Sequence, residues 1–285
     1  GYVFKSKYKR RVEGLSNGHI RQIEVDIMKD VKEVKITRVD RDKITSEDDI
    51  VAAELPFTIF VNDEEIVTLL CSPNSLKELT VGFLYSEGFI SALSDIDKIY
   101  IDEEKGLGYA YINNINEFSK DFRGKRTITS GCGKGTVFYN VLDSFKSRRI
   151  EKPLHVNIES IKSLMRIFNK RSEMFMKTGG VHSCALCSME EIIVFNEDIG
   201  RHNALDKVFG KALLDGIDTK DKMVLTSGRV SSEILIKAAK RQVPVIISRS
   251  APTSLAVEIS EKLGITLVGF ARGEKMSIYT GNSPF

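Results

Sequence analysis

The sequence is short of several things, and each shortage removes a class of protein. No apolar run approaches the roughly 20 residues that a membrane-spanning helix needs. No secretory signal opens the chain, so the cytoplasm is the expected compartment. Lys and Arg number 42 against 39 Asp and Glu, and a net charge of +3 is too small to argue for nucleic acid. No segment repeats and no low-complexity tract interrupts the chain. There are four cysteines: Cys71, Cys132, Cys184 and Cys187. In a reducing compartment so few thiols in so long a chain point to chemistry, metal or packing before disulfides.

What is present is the composition of a chain that buries a real core. The 285 residues are 42% hydrophobic and 28% charged, which suits two domains of ordinary size. The first eleven residues hold Lys5, Lys7, Lys9, Arg10 and Arg11 and no acid, which reads as a basic tail. The stretch LPFTIFVNDEEIVTLL (55–70) alternates apolar and polar residues about Asn62-Asp63, as a hairpin or two strands would. A helix is expected over 74–90, with Ser75 and Glu78 spaced as a capping box and Leu76, Leu79, Phe83 and Leu84 on one face. Short strands are expected over 97–129. A charged stretch ending at Pro153 marks a boundary. The expected division is 1–48 (basic tail and N-terminal strands), 49–150 (a β-rich α+β domain) and 151–285 (an α/β domain).

The last of these is the most regular. One helix is expected over 158–177, closed by Gly179-Gly180. A strand (190–198) precedes a helix (200–216) with Ala204, Leu205, Val208, Phe209 and Ala212 inward. Strands at MVLTS, VPVIISRS and ITLVGFAR then alternate with helices at SSEILIKAAKRQ and SLAVEISEKLG. That alternation predicts βαβ units and a mostly parallel sheet covered on both faces.

Ligands of such sheets bind outside the carboxyl ends of the strands. TSGRVSSE (226–233) and SRSAPTS (248–254) each leave a strand and enter a helix. Between them they offer Ser227, Gly228, Arg229, Ser231, Arg249, Ser250 and Thr253 at helix N-termini, a combination suited to phosphate. The plainer reading is that the hydroxyls only cap helices. In NEDIGRHNALDK (196–207) Asp198 is placed to cap a helix whose first turn presents Arg201, His202 and Asn203. His182, Cys184 and Cys187 suggest zinc, but no second C-x-x-C, no H-x-E and no P-C-x-x-C accompanies them. Packed cysteines on a helix-like segment are the better reading, and Cys71, after an apolar run, reads as core.

Cys132 lies in TSGCGKGT (129–136), among Gly131, Gly133 and Gly135. Glycines on both sides leave little to bury the sulfur, and Lys134 favours the thiolate. A tight turn with an incidental cysteine is the bland alternative; an exposed thiol beside a phosphate site suggests covalent carriage of a group more than hydrolysis.

Taken together, LPFTIFVND, LKELTVGFLYSEGFI, TSGCG, TGGVHSCAL, EDIGRHNALDKV, TSGRVSSEILIKAAK and the run from SRSAPTS to GFARGEKMSIYT resemble the FdhD/NarQ family. The likeness covers the chain from about residue 50 to the C-terminus. It implies a cytidine-deaminase-like three-layer α/β/α domain without zinc chemistry and with no structural metal. It also implies a sulfurtransferase that takes persulfide sulfur from a cysteine desulfurase. The client would be the molybdenum bis(molybdopterin guanine dinucleotide) cofactor of formate dehydrogenase. On that resemblance Cys132 is the persulfide residue, and Phe270, Ala271, Arg272, Gly273, Glu274 and Lys275 contact the cofactor. Ser227, Gly228, Arg229, Ser250, Thr253 and His202 are added as candidate cofactor contacts, and a homodimer is expected. Many members carry C-x-x-C in the glycine loop; Gly135 stands at the second position here, so the loop has a single sulfur. The alternatives are a nucleotide-binding adaptor that carries no sulfur, and a zinc-dependent deaminase-like hydrolase using His182, Cys184 and Cys187.

Overall fold

A computed structural model describes residues 30–113, 128–129, 149–150 and 152–281. The loop of Cys132 and Lys134 lies outside the described residues. Strands β1 (Val31–Asp40) and β2 (Lys43–Ala52) form a two-stranded ribbon. Strands β3 (Leu55–Val61) and β4 (Glu64–Cys71) are the expected hairpin. Asn62 and Asp63 turn it with left-handed φ values of 48° and 66°, the conformation in which the twist of a two-residue turn matches that of its strands. With β5 (Ile96–Asp102), β6 (Leu107–Ile112) and β7 (Ile128–Thr129) they make a five-stranded sheet in the order β5-β6-β3-β4-β7. Helix α1 (Leu76–Glu87) packs Leu76, Leu79, Phe83 and Leu84 against Phe57, Ile59 and Leu69 of this sheet. The capping box does not form. Ser75 is itself left-handed, with φ 50°, and its hydroxyl donates to Asn196 Oδ1 at 3.0 Å, a residue of the other sheet.

The second half holds α2 (Ile158–Arg171), α3 (Glu173–Thr178), β8 (His182–Cys187), β9 (Ile192–Asp198) and α4 (Arg201–Leu214). It continues with β10 (Met223–Thr226), α5 (Ser232–Lys240), β11 (Val245–Ser248), α6 (Ser254–Leu263), β12 (Thr266–Arg272) and β13 (Lys275–Thr280). The single helix expected over 158–177 is two. The backbone breaks at Ser172, whose hydroxyl turns back to Phe168 O at 3.0 Å.

The six strands lie in the order β13-β12-β11-β10-β8-β9. The expectation of a mostly parallel sheet is not met. β10, β11 and β12 are parallel, but β8 is antiparallel to β10 and to β9, and β13 to β12. One of these three antiparallel pairs arises from the turn through Gly273 into β13, and the other two from β8, a strand where a helix-like segment was expected. The turn that joins it to β9 holds Ser188 and Glu191 across one hydrogen bond and is too short for anything but an antiparallel pair. Successive side chains of the central strands point to opposite faces. Val224, Ile246 and Leu267 pack under α4, α5 and α6, while Leu225, Ile247 and Val268 pack on Ile161, Leu164, Met165 and Phe168 of α2. The half is therefore three-layered, helices over sheet over helix. Each large side chain sealed there contributes about 1.5–3 kcal/mol. Among the described residues no helix is long and apolar enough to cross a membrane.

The two halves meet where α1 crosses α4. A Cβ on Gly82 would stand 1.7 Å from the carbonyl oxygen of Asp206, and one on Gly210 1.9 Å from that of Glu78. The obstacle in each case is backbone, which cannot swing aside. Gly82→Ala and Gly210→Ala are each expected to lower unfolding stability by about 3 kcal/mol or more, measured by urea denaturation.

Candidate functional site

The thiols come first, because three of them can be placed. Cys71, Cys184 and Cys187 are reduced and buried. In a strand, residues three apart face opposite ways. Cys184 accordingly lies in the core under α4–α6 and Cys187 in the core under α2. The pair therefore cannot grip one zinc ion or join as a disulfide, which corrects their placement on a helix-like segment while keeping them packed. Burial pushes the Cys71 and Cys187 thiols up to about 12, and raises that of Cys184 too. Among the described residues no group of three His, Cys, Asp or Glu side chains could hold a metal ion.

The candidate ligand-binding surface is one end of the six-stranded sheet. β9, β10, β11 and β12 all finish there, α4, α5 and α6 begin there, and antiparallel β8 starts there with His182 opposite Asp198. The two hydroxyl-rich turns are laced to each other. Ser250 Oγ donates to Ser227 O at 2.9 Å, Ser248 Oγ to Gly228 O at 2.7 Å, and Thr253 N to Val230 O at 3.0 Å. Ser227 Oγ accepts from Ser183 N at 2.9 Å and lies 3.4 Å from His182 Nδ1. Ser231 and Thr253 cap α5 and α6, accepting from Ile234 N and Ala256 N at 3.5 and 3.3 Å. These hydroxyls thus all serve the backbone. What the end of the sheet presents outward is guanidinium and helix N-terminal amide. Arg229 is exposed, and Arg249 is half-buried with its guanidinium 5.9 Å from the Phe175 ring centre.

The 270–275 segment divides. Phe270 sits at φ 51° in an irregular stretch of β12, is 43% exposed, and donates its N–H to Ser250 O at 3.2 Å. A bulky residue in the left-handed region is a strained one. Arg272 Nε donates to Arg249 O at 2.8 Å, so both residues belong to the sheet end. Ala271 is buried against the α2 core and offers only backbone. Gly273, at φ 56°, turns the chain into β13, where Lys275 is exposed. Glu274 is held by Lys162 Nζ at 2.8 Å, with Arg166 at 3.8 Å, and the Lys162 hydrogen bond lowers its carboxyl below the usual range.

The polar segment before α4 also divides. Asp198 does not cap the helix; Gly200 stands at that position. Asp198 is instead fully buried, with Lys207 Nζ 2.7 Å from Oδ2. Oδ2 also accepts from Ser72 N at 3.0 Å, and Oδ1 from Gly200 N and Asn203 Nδ2 at 2.8 and 3.0 Å. Asn203 and Lys207 reach on to Leu70 O, Ser72 O and Asn74 Oδ1. These residues join the halves of the molecule. His202 Nε2 lies 3.1 Å from Glu233 Oε2, and that contact draws the Glu233 carboxyl below its ordinary value. Arg201 runs over Gly228 and beside His182. Burial, then the Arg201 charge, lowers the His182 imidazole; His202 and Arg229 act in the same sense and Asp198 opposes them. Sequence reading set Arg201 in the first turn of α4 but offered His182 no place at the phosphate turns, because only the antiparallel pairing of β8 brings His182 beside Ser227.

Comparison with known proteins adds an independent line. A family model described as the FdhD/NarQ family matches residues 52–284. A protein of Listeria monocytogenes described as sulfur carrier protein FdhD is 47% identical over 253 residues, 88% of this chain and 97% of that one. One of Bacillus subtilis with the same description is 40% identical over 247 residues, 86% of this chain and 94% of that one. Among solved structures, a crystal structure from Desulfotalea psychrophila, described as that of a formate dehydrogenase accessory protein, superposes with a TM-score of 0.71. It is 27% identical, with 89% of this chain and 97% of that one covered.

Burial of the three placed thiols has a direct readout. Brief treatment of the native protein with iodoacetamide is expected to leave Cys71, Cys184 and Cys187 unmodified by peptide mass spectrometry, and to modify them once the chain is unfolded in urea.

Proposed function

Since the chain belongs to the FdhD/NarQ family, we propose that it carries sulfur for the maturation of a formate dehydrogenase. In this reading a cysteine desulfurase presents a persulfide, and the Cys132 thiolate attacks its outer sulfur. The bond between the donor's two sulfurs breaks, the donor thiolate leaves, and Cys132 holds the sulfur as its own persulfide. The client that receives it is the bis(molybdopterin guanine dinucleotide) form of the molybdenum cofactor, bound as cargo. The observation that carries the reading is the state of the other thiols. Cys71, Cys184 and Cys187 are buried and their thiols resist ionisation. None of them is poised as a nucleophile, so the carrier role falls to Cys132, between Gly131 and Gly133 and two residues from Lys134.

The nucleotide ends of the cargo belong, in the same reading, at the end of the six-stranded sheet. Phosphates would meet Arg229, Arg249 and the amides that open α5 and α6, and a flat ring would lie beside Phe270. Arg272 and the backbone of Ala271 and Gly273 complete the contact. Glu274 serves as the tether that fixes this hairpin to α2 through Lys162, and Lys275 adds exposed charge. The three-layer half is taken to be of the cytidine-deaminase-like kind, working in the cytoplasm, within a homodimer.

Two measurements test this. Wild-type protein treated with a cysteine desulfurase is expected to gain the mass of one sulfur atom on the Cys132 peptide. Cys132→Ser is expected to gain none and to yield inactive formate dehydrogenase; an active enzyme from that variant would overturn the carrier role, and an adaptor would show no gain at all. GDP is expected to bind the full chain in calorimetry, and the double variant Arg229→Ala, Arg249→Ala to bind about tenfold or more weakly. No heat at millimolar GDP would sink the assignment of the sheet end.

A further inference from the structure

His182 of β8, Arg201 of α4 and Arg229 of the turn after β10 meet at one point on the sheet end, and the two acids that act on them, Asp198 and Glu233, are already paired with Lys207 and His202. His182 opens β8, with its Nδ1 3.4 Å from where a Cβ on Gly228 would stand. Arg201, at the start of α4, has Cβ and Cδ 3.1 and 3.3 Å from that same point. Gly228, lacking a side chain, leaves room for the imidazole and the arginine stem to approach the same point. Arg201 Nε is sealed from solvent and makes no hydrogen bond among the described residues. A buried donor without an acceptor carries a cost that a bound acceptor would remove.

The groups that face His182 are Arg201 and His202 of α4, Asp198 of β9, and Ser227 and Arg229 of the turn after β10. His202 is engaged with Glu233. Asp198 has both oxygens taken, by Gly200, Asn203, Ser72 and Lys207. The site therefore holds a fixed guanidinium charge, a neutral imidazole beside it, and a donor with nothing to donate to.

We propose that Arg201 and His182 form a two-pronged receptor for the doubly charged pyrophosphate of a nucleotide, in which Arg201 supplies permanent charge and His182 takes a proton from solvent as the anion arrives. The proposal rests on the reading of the sheet end as a nucleotide site and adds to it two residues and a proton. Burial and the neighbouring charges hold His182 in its neutral form. A dianion reverses the local field and makes the imidazolium the favoured form, so binding and protonation are linked. Affinity then falls as pH rises above neutrality, even though the phosphate itself keeps its charge.

The test is calorimetric titration of the full chain with GDP at neutral pH, in two buffers of different ionisation enthalpy. Wild type is expected to take up a proton approaching one per GDP bound. His182→Gln is expected to bind GDP with no uptake and with an affinity that no longer falls between neutral and mildly alkaline pH. Arg201→Gln is expected to bind GDP about tenfold or more weakly, and circular dichroism is expected to show both variants folded. GDP binding without proton uptake in wild type, or uptake retained in His182→Gln, would overturn this proposal alone. Absence of any GDP binding to wild type would overturn the nucleotide reading on which it stands.

Discussion

Two helices touch backbone to backbone at a pair of glycines, and the geometry of the molecule hangs on that contact. At the crossing of α1 and α4 the backbone of each helix meets a glycine of the other, Gly82 under Asp206 and Gly210 under Glu78. Close approach of this kind fixes one crossing and admits no sliding, because any larger residue meets a carbonyl. Beside it, the Asp198–Lys207 pair is wholly buried and bonded to Ser72, Asn74 and Leu70. A buried ion pair adds little net stability by itself, but leaving either partner alone costs about 3–5 kcal/mol. The pair therefore acts as a register pin. It lets α4 enter its helix at one place only, with Arg201 and His202 aimed at the end of the sheet.

That end is built for rigidity in its hydroxyls and for charge in its guanidiniums. Ser227, Ser248, Ser250 and Thr253 tie the two turns together or cap the following helix. Their removal would loosen these turns. Arg272 bonds to the carbonyl of Arg249, and Arg201 and Arg229 both act on His182, so arginines from four segments gather at this end of the sheet. The work of bringing such charges near one another is done during folding.

The thiols illustrate the opposite use of burial. Cys71, Cys184 and Cys187 sit in three separate clusters of the core, where desolvation disfavours the thiolate. They behave as small hydrophobes. A protein that uses one cysteine chemically gains selectivity when its remaining thiols cannot compete.

Much of this was legible from residues alone. The hairpin at Asn62-Asp63, the inward face of α4, the caps at Ser231 and Thr253 and the alternation of strand and helix after residue 190 all follow from short-range rules. The motifs around Asp198 and Phe270 were enough to indicate the family. The direction of β8, the separation of Cys184 from Cys187, the diversion of Ser75 to Asn196 and the meeting of His182 with Arg201 over Gly228 were decided only in three dimensions. The reason is one of range. Helix and strand periods are written within a few neighbouring residues, whereas Ser72 and Asp198 are 126 positions apart. Which faces meet at such distances depends on the packing of the whole chain, and a glycine, a buried lysine or a short apolar strand takes its meaning from what lies across from it.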